Sequence, residues 1–180
     1  MEQQSPPPPS PRQPLPATPL AAVRIRRATA ADVPLLLSLI RALAAYERAE
    51  DAVQADEARL LAEGFGPRPA FEALLAEIAG EAVGFALYFH SFSTWEGRKG
   101  LYVEDLFVTE AARGRGVGRR LLAACAAIAR KRGCARLDLA VLDWNPARAF
   151  YERLGFEAMQ TWLPHRLSGA ALERLAAEGT

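Results

Sequence analysis

The hydrophobic pattern of the first half of the chain changes its period several times, and each period predicts an element. Residues 23–29 alternate apolar and basic positions, as in a half-exposed strand. Two segments with helical spacing follow, at 29–47 and 53–64. Apolar, β-prone residues then fill 70–92 on both sides of Gly80, which predicts a hairpin turning at Gly80-Glu81.

The second half continues with alternating strands and helices. The pattern predicts a loop at 91–100, strands at 101–110, 135–142 and 156–167, and helices at 116–132, 146–154 and 169–177. A strand–helix–strand unit after several consecutive strands points to an α/β fold of the mixed α+β kind, with a mixed sheet.

Proline is unevenly distributed. Eight of the 13 prolines fall in the first twenty residues, and proline lacks the amide donor that helices and sheets require. We therefore predict a disordered proline-rich tail at 1–21 and a single domain at 22–180. The tail has three interpretations: a spacer, a mis-assigned start codon, or a ligand for an aromatic groove of an SH3-type partner.

Charge and composition restrict the possible partners. The chain has 22 Lys and Arg against 21 Asp and Glu, a net charge of +1, so its overall charge does not favour nucleic acid. No apolar stretch reaches the length that spans a bilayer, and the first residues lack a signal-peptide pattern. We expect a cytoplasmic protein with no nucleic-acid or membrane partner. Two histidines cannot assemble a zinc site of usual spacing, so no metal is expected.

A segment rich in glycine and arginine, 113–120, lies between a predicted strand and a predicted helix. Glycines at alternate positions let the backbone approach a ligand, and a helix N-terminus with arginines favours phosphate. The third glycine comes one residue too early for a dinucleotide fingerprint, and no P-loop Lys-Ser/Thr follows. An RNA-binding Gly/Arg patch is less consistent, because the segment is tightly bounded and has no interleaved aromatic residues. The segment is interpreted as a pyrophosphate cradle.

Two motifs carry a family resemblance. Residues 102–122 contain Arg113-x-x-Gly116-x-Gly118, and residues 145–156 read NPARAFYERLGF. With these motifs the chain resembles the GNAT superfamily of N-acetyltransferases over about residues 23–175. Within it, the runs GFALYFHSFSTWEGRKGLYVEDLFV and VLDWN are most similar to the diamine (spermidine/spermine) and thialysine acetyltransferase branch.

The resemblance implies a mixed, mostly antiparallel sheet whose fourth and fifth strands splay apart around acetyl-CoA. The implied acetyl-CoA contacts are Leu106, Phe107, Val108, Arg113, Gly114, Arg115, Gly116, Val117, Gly118, Arg119 and Asn145. The branch is often dimeric, which implies a homodimer.

The same resemblance assigns the chemistry. Glu104 would take the proton of the attacking amine, and Tyr151 would protonate the leaving thiolate. Asp105, the next residue along the strand, is expected on the opposite face. The implied acceptor contacts are Tyr46, Glu47 and Trp95, together with Glu104. The alternatives are a structural ion pair for Glu104, packing under the cofactor for Tyr151, and helix-end packing for Tyr46.

One spacing departs from the branch. Asn145 and Tyr151 are six residues apart, one fewer than usual, and a shift of one residue turns a helical side chain by about 100°. The predicted function is direct acetyl transfer from acetyl-CoA to a primary amine of a small molecule, a diamine or a lysine-like amino acid. The alternatives are acetylation of protein or antibiotic amines, and a non-catalytic CoA-binding protein, which the shortened spacing favours.

Overall fold

A computed structural model describes residues 23–179 of the chain. The predicted tail at 1–21 lies outside the described residues. The elements are, in order, β1 Val23–Arg27, α1 Val33–Tyr46, α2 Glu57–Phe65, β2 Glu72–Ile78, β3 Glu81–Ser93, β4 Arg98–Val108, α3 Val117–Lys131, β5 Arg136–Leu139, α4 Ala147–Arg153 and α5 Gly169–Ala177. They form two compact units that divide after Ala140; whether the chain from 22 to 180 acts as one domain stays a prediction.

The first unit is built on one five-stranded sheet with the order β1-β2-β3-β4-β5. The first three pairings are antiparallel and β4 pairs with β5 in parallel. The predicted α/β class with a mixed, mostly antiparallel sheet is confirmed. The predicted hairpin between β2 and β3 is also present, but it turns at Ala79-Gly80, one residue earlier than predicted, because Glu81 already pairs with Ile78.

Helices cover both faces of this sheet. From α1, Leu36 and Leu39 pack with Leu75, Phe85 and Phe107 in one apolar cluster. On the alternate positions of β2 and β3, buried residues face the other way, where α3 packs against the sheet. The core is therefore a sheet between two helical layers. Each helix has one apolar face, which it buries against the sheet.

The start of α1 is held by charge as well as by apolar burial. Asp32 accepts hydrogen bonds from the backbone amide and the hydroxyl of Thr29, in the manner of a capping box. The same carboxylate forms a two-pronged ion pair with Arg26 of β1, at 2.7 Å for both contacts. Because Arg26 also binds Glu77 of β2, one guanidinium joins the helix start to two strands.

The second unit, residues 141–179, contains α4 and α5 and differs from expectation between them. The strand predicted at 156–167 is wrong: this segment forms turns and irregular backbone. A strand needs a neighbouring strand for its amides, and the described part of this unit contains none. Pro164 also lacks an amide hydrogen. No helix among residues 23–179 is long and apolar enough to cross a membrane.

Candidate active site

A β-bulge lies at the middle of β4. Opposite β3, Leu87 faces Asp105 and the next residue, Tyr88, faces Val103, so that Glu104 is an extra residue with no partner position. A bulge of this kind breaks the alternation of side chains along a strand and redirects them.

The bulge brings two acidic side chains to one face of the sheet. Asp105 is opposite Leu87, and Tyr102 is opposite Phe89, with the Phe89 and Tyr102 rings 5.2 Å apart. Leu87 and Phe89 share a face, because they are two residues apart on β3, and opposite residues share the face of their partners. Glu104 is two residues beyond Tyr102 on β4 and so lies on the same face, and its charge raises the pKa of both Tyr102 and Asp105. The expectation that Asp105 points away from Glu104 is therefore wrong.

The acidic cluster comprises Glu47, Glu104 and Asp105, and its members differ in solvation. Burial raises the pKa of Asp105 to about 6, and the nearby carboxylates of Glu104 and Glu47 raise it further. Burial also raises the pKa of Glu47. Glu104 is exposed. Carboxylates that are crowded and partly desolvated favour a bound cation, since a positive charge relieves their repulsion.

The C-terminal cap of α1 fixes the backbone position of Glu47. The helix ends at Tyr46, and the amide of Ala49 donates to the carbonyl of Ala44 at 2.9 Å. Arg48 adopts a left-handed conformation with φ of 58°, which closes the helix in the manner of a Schellman turn. This closure fixes the position of Tyr46 and Glu47 at the end of α1.

The predicted cradle has the expected setting between β4 and α3. Gly114 and Gly116 have φ of 73° and 77°, values that disfavour any other residue, and Gly116 is the N-cap of α3. Val117 is buried and anchors the first turn of the helix. The N-terminus of this 15-residue helix therefore presents amides and positive dipole to an anion.

Arg113 of the cradle points back to β4 and α1. Its Nε donates to the carbonyl of Val108 at 3.0 Å. Its guanidinium carbon lies 4.3 Å from the centre of the Tyr46 ring and 5.9 Å from that of Phe107. The structure thus brings the cradle to the same helix end that carries Glu47.

The edge of β4 opens beside these residues. β5 pairs only with Gly100 to Val103, and β4 continues to Val108 with no strand on that side among the described residues. Phe107 is buried in the core, while Leu106 and Val108 are half-buried. The backbone from Glu104 to Val108 is therefore a free strand edge. An unpaired strand end of this kind is what the resemblance implies beside acetyl-CoA, and that its residues contact acetyl-CoA stays a prediction.

Trp95 is not brought to the acidic cluster. It lies in the short turn between β3 and β4, with 88% of its surface exposed. Six strand positions separate Arg98, the first residue of β4, from Glu104, which is about 20 Å along a strand. Most of the loop predicted at 91–100 is in fact strand, which accounts for this distance.

The remaining predicted residues lie in the second unit. Asn145 is buried, and its Oδ1 accepts a hydrogen bond from the amide of Ala147 at 2.9 Å, which starts α4. Tyr151 is buried on α4 beside the rings of Phe150 and Phe156, at 5.3 and 5.7 Å. Their roles at the thioester stay predictions. Among residues 23–179 no group of three His, Cys, Asp or Glu side chains is arranged so that it could hold a metal ion.

Sequence reasoning missed one residue of this site, Asp105. Asp105 directly follows Glu104 in LYVEDLFV, and strict alternation along a strand predicts it on the face opposite Glu104. No glycine or proline stands at the bulge, at 87–88 or 103–105, to signal it in the sequence.

Comparison with known proteins identifies the wider group. Residues 37–156 match the acetyltransferase (GNAT) family. A thialysine N-epsilon-acetyltransferase from Bos taurus is 41% identical over 169 residues, covering 87% of this chain and 99% of that protein. An L-ornithine N5-acetyltransferase from Arabidopsis thaliana is 30% identical over 84% of this chain and 87% of that protein. Among solved structures, an integron cassette protein from V. cholerae has a TM-score of 0.73 and 29% identity, covering 86% of this chain and 98% of that one.

Proposed function

Because this chain belongs to the GNAT family and is an N-acetyltransferase that uses acetyl-CoA, we propose that its acceptor is a small molecule with two amines. The classes intended are diamines and lysine-like amino acids. The observation that carries the proposal is the acidic cluster of Glu47, Glu104 and Asp105 on the face of β4, next to the open strand edge. The amine to be acetylated must be neutral, so the cluster would hold a second, charged amine.

The relatives support this class of acceptor. One is named for thialysine and another for L-ornithine; both compounds are amino acids with a primary amine at the end of the side chain. A protein or aminoglycoside acceptor would also bring cationic amines, so the acidic cluster alone does not select among them. The proposal rests on the cluster together with the relatives' names.

Acetyl-CoA supplies an activated acetyl group as a thioester, and residues of the cradle would hold its pyrophosphate. Gly114, Gly116 and Gly118 keep the backbone open there, and the arginines at 113, 115 and 119 add charge. The backbone of Leu106, Phe107 and Val108 would pair with the pantetheine arm along the free edge. Asn145 would donate its side-chain amide to the same arm.

Glu104 would prepare the acceptor. At an unperturbed pKa near 10.4, on the order of one primary amine in two thousand is neutral at pH 7. Glu104 would take the ammonium proton directly or through a water, leaving a lone pair for attack on the carbonyl carbon. As the new C–N bond forms, backbone amides near Leu106 or Val108 would stabilise the negative charge on the carbonyl oxygen.

Tyr151 would complete the transfer. The C–S bond breaks as the carbonyl reforms, and the phenol of Tyr151 would give its proton to the departing sulfur. The amine's second proton is released to solvent. The products are an amide and free CoA thiol, with no acyl group on the protein. Trp95 precedes Arg98, which is itself about 20 Å along β4 from Glu104, so Trp95 would reach only the far end of an elongated acceptor.

A thiol-release assay tests the proposal. Purified full-length protein with acetyl-CoA is offered diamines, ornithine, lysine and thialysine, and in parallel a monoamine, an aminoglycoside and a lysine peptide. We expect turnover with the two-amine set and at least ten-fold lower kcat/KM with the monoamine of matched length. Turnover confined to the aminoglycoside or the peptide would contradict the acceptor class. Binding of acetyl-CoA by calorimetry without any turnover would support the non-catalytic alternative.

The proposal extends to a cytoplasmic homodimer without a nucleic-acid or membrane partner. Support for self-association comes from the second unit, where the apolar side chains of Met159, Trp162, Leu163 and Leu167 are exposed. Light scattering of the intact chain should give twice the monomer mass of 19.6 kDa; a monomer at all concentrations would contradict it. A salt-sensitive gel shift with RNA would overturn the absence of a nucleic-acid partner.

A further inference from the structure

The last turn of α1 carries two neighbouring residues that contact different parts of the first unit. Glu47 is close enough to Asp105 to raise the pKa of that carboxyl. Tyr46 instead lies against the cradle, with the Arg113 guanidinium 4.3 Å from its ring centre. The end of one helix therefore joins the acidic cluster to the cradle.

Arg113 is restrained on three sides. Its Nε donates to the Val108 carbonyl, its plane lies close to the Tyr46 ring, and the Phe107 ring is 5.9 Å away. Within residues 23–179 its two Nη groups donate no hydrogen bond, and the side chain is exposed. An arginine held in this way keeps the two Nη groups of its planar guanidinium exposed to solvent. Two such parallel donors can bind two oxygens of one phosphate.

The stack also limits what Tyr46 itself can bind. At 4.3 Å from the ring centre, the guanidinium leaves no space for another group on that ring face. An amine acceptor cannot stack on the same face while Arg113 occupies it. The resemblance implies that Tyr46 contacts the acceptor. The geometry instead favours a role for Tyr46 in cofactor binding, exerted through Arg113.

We propose that Tyr46 is a positioning residue for acetyl-CoA, which holds the Arg113 guanidinium in place for the pyrophosphate. The inference rests on the proposed function of the cradle. A free arginine side chain samples many rotamers and loses that freedom on binding, whereas a stacked arginine has already lost it. Tyr46 thus strengthens cofactor binding without touching the cofactor.

The test compares Tyr46→Leu with Tyr46→Phe in the intact chain. Calorimetric titration with acetyl-CoA should give a Kd weakened roughly three- to ten-fold for Tyr46→Leu. Tyr46→Phe keeps the aromatic face and should restore the affinity to within about two-fold of wild type. At saturating acetyl-CoA, the acceptor KM of Tyr46→Leu should stay within about two-fold, a pattern that general loss of structure would not produce.

A double-mutant cycle makes the test specific to the stack. In an Arg113→Leu background, Tyr46→Leu should change the acetyl-CoA Kd by less than about two-fold, because the partner is gone. Phe92→Leu, which removes an exposed ring from β3, is the matched control and should leave Kd unchanged. If Tyr46→Leu does not fold, Arg113→Lys keeps the charge but loses the flat stack, and it should weaken acetyl-CoA binding by itself.

Three outcomes would contradict the inference, and a fourth concerns the proposed function instead. An unchanged acetyl-CoA Kd in Tyr46→Leu, or equal effects of Tyr46→Leu with and without Arg113, would show that the stack does not position the arginine. A rise in acceptor KM alone would return Tyr46 to the acceptor pocket. Failure of the wild-type chain to bind acetyl-CoA would overturn the cradle itself.

Discussion

Glu104 and Asp105 are consecutive residues whose side chains lie on the same face of the sheet, because Glu104 is the extra residue of the bulge in β4. The two carboxyl groups differ in solvation: Glu104 is exposed, while burial and the neighbouring carboxylates raise the pKa of Asp105 to about 6. An exposed group can exchange protons with water, whereas a half-buried one responds strongly to a nearby cation. Under the proposed function, Glu104 would transfer the proton and the more buried Asp105 would respond most to the charge of the second amine.

Glu104→Gln should lower kcat/KM for the best amine by roughly 10²-fold at pH 7, because the amide cannot accept the ammonium proton. The deficit should shrink as pH rises towards 10, where roughly a quarter of the acceptor amine is already neutral. Rates across pH 6.5–9.5 measure this. Glu81→Gln, an exposed change at the first residue of β3, is the control. A deficit that is constant with pH would assign Glu104 to binding rather than proton transfer.

Tyr151→Phe should reduce kcat by roughly 10²-fold while the KM for acetyl-CoA changes little, since the ring and its packing with Phe150 and Phe156 remain. Steady-state rates with a more activated thioester, such as a nitrophenyl thioacetate, separate the acid role from packing. The better leaving group needs no proton, so the variant should approach wild type with it. Full activity on acetyl-CoA near neutral pH would rule out the acid role.

Asp105→Asn should stabilise the fold above neutral pH and not at pH 4. The folded pKa of about 6 exceeds the ordinary value of 3.8, so the wild type loses stability as pH rises from about 4 through 6. The loss is about 2–3 kcal/mol, complete above pH 7. Denaturant melts of both proteins at pH 4 and pH 8 measure the difference. Equal stabilities at pH 8 would mean that the carboxylate is better solvated than its position suggests.

Ala79→Asn should stabilise the β2–β3 hairpin by about 0.5–1 kcal/mol, because Ala79 has a φ of 52° and Asn tolerates this left-handed conformation better. Gly80→Ala, the matched change at the neighbouring position with a φ of 85°, should destabilise by a similar amount. No atom lies within 4 Å of an added Cβ at Gly80, so the effect is purely conformational. Thermal melts compare the variants, and a loss of stability in Ala79→Asn would refute the turn assignment.

Local signals predicted much of the fold. The helices at 116–132 and 169–177 were found because capping, glycine positions and helical spacing agree within each segment, and the structure confirms both. The strand at 156–167 failed because β-prone residues form a strand only where a partner strand is available. The loop predicted at 91–100 is too long for the opposite reason. Polar residues at both of its ends belong to strands, because β3 and β4 continue their hydrogen-bonded pairing there.

The sequence by itself determined the family, the cradle and its glycines, because these depend on short spacings and on backbone angles that only certain residues adopt. Tertiary structure alone decided that Asp105 joins Glu104 and Glu47 on one face, that Arg113 stacks on Tyr46, and that Trp95 lies far from both. These relationships depend on strand register and on how a helix ends against a sheet. Register is set by pairing between segments distant in the chain, and no local pattern contains it.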